Sequence, residues 1–134
     1  MSKLQSIPQL SESEHQIALM EWAAWSVKDY PDLHWLIHVP LGEYRHKKTA
    51  ALLKRLGTKR GFPDLLLLTP RGKYHALIIE LKRVSGGKVS PAQRGWIDYL
   101  NSQEYKAVVC RGWQEARQVI IEYLNLPKDG KGNE

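Results

Sequence analysis

Two apolar runs stand out in the polarity pattern of this chain, Leu65-Leu66-Leu67-Leu68 and Ala76-Leu77-Ile78-Ile79. Both are short and bounded by turn-forming residues, so they read as buried strands over 64–69 and 74–82, joined through Thr69-Pro70-Arg71-Gly72-Lys73. Upstream, Ser11-Glu12-Ser13-Glu14 has the form of a capping box, a serine N-cap with a glutamate three residues on. Ile17, Met20, Ala24 and Val27 then follow helical spacing, which predicts a helix over 12–28, broken at Tyr30-Pro31-Asp32. His34-Trp35-Leu36-Ile37-His38-Val39 reads as a first strand ended by Pro40, and 43–56 as a basic helix stopped by Gly57. Beyond the hairpin, Val84-Ser85-Gly86-Gly87-Lys88 reads as a loop. Ser90-Pro91-Ala92-Gln93 opens a helix carrying Trp96, Ile97 and Leu100, residues 106–111 form a strand, and 113–124 a last helix. The order helix, strand, helix, strand, strand, helix, strand, helix predicts an α/β fold, a mixed central β-sheet flanked by helices. A single domain over 11–125 is expected, between a flexible arm at 1–10 and a flexible tail at 126–134.

Composition narrows the class. A chain of 134 residues with 43% hydrophobic residues suits one globular domain with a modest core. No apolar stretch approaches the ~20 residues that span a bilayer, and the N-terminus lacks the apolar core of a secretion signal, so an intracellular, cytoplasmic protein is expected. The one cysteine, Cys110, lies in a strand-like run and reads as a small buried residue rather than a nucleophile. The five histidines show no zinc-type spacing, and the five tryptophans are expected mostly in the core. Twenty Lys and Arg against 14 Asp and Glu leave a net charge of +6, which favours polyanionic partners. Arg45, Lys47, Lys48, Lys54, Arg55, Lys59 and Arg60 occur without an intervening acidic residue, and the run ends just before Asp64. Lys88 and Arg94 are further candidates for phosphate contact.

The candidate chemistry lies at the hairpin ends. Alternation along a strand sends Glu80 and Lys82 to one face, and pairing of the strands brings Asp64 near Glu80. Two carboxylates and a lysine at one sheet edge suit a hard divalent cation and an activated water. Taken singly, each residue has a plainer reading: Asp64 as a strand-start cap, Glu80 and Lys82 as a solvated charge pair, Glu14 and Gln93 as halves of capping boxes.

Taken together, Glu14 in helix one, Gly61-Phe62-Pro63-Asp64 after a basic helix, Glu80-Leu81-Lys82, and Ser90-Pro91-Ala92-Gln93 resemble the PD-(D/E)xK nuclease superfamily. Within it the chain most resembles the VRR-NUC family, the virus-type replication-repair nucleases, over about residues 12–124. The resemblance implies a restriction-endonuclease-like core, with the basic helix as an insertion after the first strand. By the same resemblance Asp64, Glu80 and the Leu81 backbone carbonyl are ligands of Mg2+ or Mn2+. Lys82 orients or activates the attacking water, Glu14 adds a metal or water contact, and Gln93 contacts Lys82 or the nucleophile. It further implies DNA repair by a metal-dependent endonuclease that cuts branched DNA such as four-way (Holliday) junctions as a homodimer, from a phage or bacterium. The alternatives are a restriction-type or complex-bound nuclease subunit and a non-catalytic nucleic-acid-binding module.

Overall fold

One strand, β3 (Leu77–Lys82), organises the structure: all six of its residues are buried. The coordinates are a computed structural model that describes residues 8–40 and 47–128, without the side chains of Lys47 and Lys48. Four strands form a sheet in the order β1 (Ile37–His38), β2 (Leu65–Leu67), β3, β4 (Lys106–Arg111). β1 and β2 pair antiparallel, as do β2 and β3, whereas β3 and β4 run parallel. With strands on both edges and helices on both faces, β3 opens on three apolar residues in succession, Leu77-Ile78-Ile79, rather than alternating.

Parity along the strands divides the core. Leu65, Leu67, Ile79 and Leu81 pack with Leu19 and Ala23 of α1 (Glu12–Trp25) and with Ile120 and Tyr123 of α4 (Trp113–Leu124). Ile78 faces the other way, onto Ile97 and Leu100 of α3 (Pro91–Ser102) and Ala107. Each such Leu or Ile stabilises the fold by roughly 1.5–3 kcal/mol. Glu80 and Lys82 share the parity of Ile78, so they leave β3 on the α3 face. The remaining helix, α2 (Lys47–Arg55), ends in a Schellman motif: Gly57 has φ +100°, Thr58 N–H donates to Leu53 O at 2.9 Å and Gly57 N–H to Lys54 O at 3.1 Å.

The predicted mixed α/β architecture and element order are present, with local corrections. Residues 31–35 form a short 3-10 helix led by Pro31, not a strand, so β1 keeps only two residues. Arg71, itself buried, donates to Asp32 at 2.6 Å and ties down that turn. α1 ends at Trp25, and its buried face is His15, Leu19 and Ala23, while Ile17 is 57% exposed. Apolar residues surround this helix, so spacing alone does not select the buried side. Three of the five tryptophans, Trp22, Trp96 and Trp113, are half-buried and pack against the core, whereas Trp25 and Trp35 are exposed. Contacts extend past both expected domain edges, where Gln9 Oε1 accepts from Ser85 N–H at 2.7 Å and Pro127 O accepts from Gly72 N–H at 2.7 Å. Among the described residues no helix is long and apolar enough to cross a membrane.

Candidate active site

The site begins where the β2–β3 ladder stops. Leu65 pairs with Ile79, so the next inward-facing position would set Pro63 against Leu81. Proline has no N–H to give, and the ladder cannot continue. Asp64 takes over: its Oδ2 accepts from Leu81 N–H at 2.9 Å. The N–H and C=O of a strand residue leave on the same side, so the Leu81 carbonyl also points toward the Asp64 edge. Asp64 is held from behind as well, its own carbonyl accepting from Val39 N–H at 2.7 Å and lying 3.1 Å from His38 Nδ1.

Glu80 is 2% exposed and bonded on one oxygen only. Its Oε2 accepts from Gln93 Nε2 at 3.0 Å and lies 3.4 Å from Lys82 Nζ. Its Oε1 is buried without a hydrogen-bond partner. Gln93 also completes the capping box of α3, taking the Ser90 N–H on Oε1 at 2.8 Å. The cap therefore aims the amide at Glu80, whereas the sequence led us to expect a contact to Lys82 or to the nucleophile. Burial first, then the charge of Asp64, push the Glu80 carboxyl up to about 8. Burial also raises Asp64, against the opposing pull of the Leu81 N–H. Two carboxylates this close and this buried resist ionising together unless positive charge joins them.

That environment fits a hard cation. Asp64, the unpartnered Glu80 Oε1 and the Leu81 carbonyl would supply oxygen donors, and Lys82 alone does not offset two carboxylates. Among the described residues no group of three His, Cys, Asp or Glu forms a ready-made cage. Magnesium tolerates this, because it usually keeps several waters and binds through one or two carboxylates.

A cleft of about 920 Å³ opens beside Asp64 and Gln93, walled by Lys54, Lys59, Arg60 and Phe62. Gly61 holds its wall close, with φ +86°; a Cβ there would lie 2.6 Å from the Ala92 carbonyl carbon. Thus three of the basic candidates reach the cleft. Arg55, Lys88 and Arg94 are exposed but do not line it. Arg45 lies outside the described residues, as do the side chains of Lys47 and Lys48.

Glu14, expected to add a metal or water contact, is engaged in its capping box. It is exposed, and its Oε1 accepts from Ser11 N–H at 2.8 Å, which holds its carboxyl below the usual range. Glu12, the other acidic residue of the first turn of α1, sends its Oε2 to the Gly87 backbone, within 4 Å of where a Cβ there would stand. His15 is a core histidine. It is buried and accepts the Trp113 N–H on Nδ1 at 3.0 Å, beside Gly112, whose own N–H donates to Lys82 O at 2.8 Å. Cys110 is buried as expected, its thiol pushed up to about 12 by burial and so inert.

Comparison with known proteins places the fold. The family model described as the VRR-NUC domain matches residues 10–114. A solved structure described as a VRR_NUC domain protein is 32% identical, with a TM-score of 0.80 over 96% of this chain and 100% of that one. A search of curated proteins returned no significant relative. With the sheet, the acidic pair and the lysine in place, the chain belongs to the VRR-NUC domain family, a nuclease-type family.

Proposed function

We propose that this protein is a divalent-metal-dependent endonuclease that hydrolyses phosphodiester bonds in branched DNA. The observation that carries the reading is a buried Glu80 with one unpartnered oxygen, bound by Lys82 and Gln93 and coupled to Asp64, where Asp64 and Gln93 line a basic cleft. Asp64, Glu80 and the Leu81 carbonyl are the groups that would hold Mg2+ or Mn2+. When bound there, such an ion offsets charge on the phosphate and lowers the pKa of a water. Lys82 holds and orients the attacking water and shares the negative charge of the transition state. Gln93 fixes Glu80 in position. Lys54, Lys59 and Arg60 steer the phosphate backbone into the cleft.

The test is incubation of the protein with labelled flap, fork, four-way junction and linear duplex DNA, with Mg2+ or Mn2+. Cleavage of branched over linear substrates is expected, and Asp64→Asn or Glu80→Gln should lower the rate by at least about 10²–10³-fold while leaving DNA binding in place. Equal cutting of linear duplex would favour the restriction-type alternative, and binding without cutting would favour the module. A homodimer suits a two-fold junction. Trp25, 82% exposed at the end of α1, is the leading interface residue, and light scattering of wild type and Trp25→Glu tests it.

A further inference from the structure

α3 carries a second stripe beside its core face. Ile97 and Leu100 face the sheet, whereas Ala92, Gly95, Trp96 and Tyr99 line up at helical spacing along the flank of the helix, with Trp96 also packed against the core. With Lys59 and Arg60 they line a wide-open, shallow hollow of about 580 Å³ that adjoins the cleft beside Asp64; Lys59, Arg60 and Trp96 line both. The aromatic floor is built rather than loose. Trp96 Nε1 donates to Arg60 O at 3.2 Å, and Phe62 meets the Trp96 ring at 5.0 Å and 83°. Tyr99 stands at 84° to Trp96 with ring centroids 6.3 Å apart, and is 57% exposed. Between them Gly95 leaves a gap: a Cβ there would meet nothing within 4 Å.

From this arrangement we infer that Trp96, Tyr99 and the Gly95 gap form a shelf for one unpaired base adjacent to the scissile phosphate, with Lys59 and Arg60 on that nucleotide's phosphates. The occupant follows from chemistry: aromatic faces stack any base, the two rim cations match a phosphodiester, and the shelf is continuous with the site that would cut the strand. A base inside a duplex has both faces covered, so only an unpaired or splayed nucleotide fits. The shelf rests on the nuclease reading and adds its substrate preference, a junction or flap that offers an open base beside the cut.

Binding is measured by fluorescence anisotropy in EDTA, with labelled oligo(dT) of about eight nucleotides and a blunt duplex as probes. Tyr99→Ala is expected to weaken oligo(dT) binding about tenfold and leave duplex binding unchanged, and Tyr99→Phe to restore the wild-type value. Gly95→Leu, which fills the gap in a helix that tolerates leucine better than glycine, should give the same selective loss. Equal oligo(dT) affinity in wild type, Tyr99→Ala and Gly95→Leu would overturn the shelf, as would an equal loss on the duplex. Because no divalent ion is present, the two ideas fail separately. A protein that stacks oligo(dT) through Tyr99 but never cuts DNA keeps the shelf and loses the nuclease reading, while cleavage without Tyr99-dependent binding does the reverse.

Discussion

Glu80 illustrates how a single side chain can be readable in type and unreadable in state. A glutamate closing the run Leu77-Ile78-Ile79 must be buried and needs partners, and that much follows from sequence. Its ionisation depends on Asp64, Lys82 and Gln93 together, which only the fold assembles. The consequence for stability has a definite sign. The folded carboxyl titrates near 8 and the ordinary value is 4.5, so between these pH values the metal-free folded state binds more protons than the unfolded one. Stability of the metal-free protein should therefore fall as pH rises through that window. Thermal melting from pH 4.5 to 8 in EDTA checks this. Glu80→Gln should remove most of the slope, and Mn2+ should stabilise more at the alkaline end, where the carboxylate is formed. A metal-free protein whose melting temperature climbs steadily across the window would contradict the assignment.

At the level of elements, the strand end and the turn before it do the positioning. Pro63 ends the ladder so that the Leu81 carbonyl stays clear of β2, and Gly61 lets the preceding loop lie on α3. Pro63→Ala restores an N–H at the ladder position. The expected outcome is an intact fold with weaker Mn2+ binding in calorimetry, as the carbonyl is drawn into the sheet; unchanged affinity would show that Leu81 is no ligand. Gly61→Ala meets both a left-handed φ and a contact at 2.6 Å, and should cost about 1–3 kcal/mol in urea unfolding. The capping boxes at Ser11 and Ser90 were legible because their signal is local, three residues wide. The strand read over 34–39 was not: a 3-10 turn led by Pro31 takes residues 31–35, and the Arg71–Asp32 pair that ties it down joins residues far apart in the chain. The buried side of α1 escaped for a related reason, since apolar residues occur all round it and the sheet chose among them.

For the whole molecule the net charge of +6 matters through its placement. Lys54, Lys59 and Arg60 converge on the cleft that holds Asp64, so DNA affinity should fall steeply with salt, and replacing any one of the three with Ala should lower the slope of log affinity against log salt by about 1. The same replacement at Arg55, exposed but away from the cleft, should change the slope less, and a filter-binding series over salt separates the two. The amino-acid order by itself determined the element sequence, the mixed sheet and the membership of Asp64, Glu80 and Lys82 in one site, because strand alternation and capping are short-range rules. Only the tertiary structure decided that Gln93 holds Glu80, that Trp96 lines the cleft and that Tyr99 lines the hollow beside it. Those relations join residues far apart in the chain, and packing of α3 against the sheet, rather than any periodicity, fixes which of its faces meets the site.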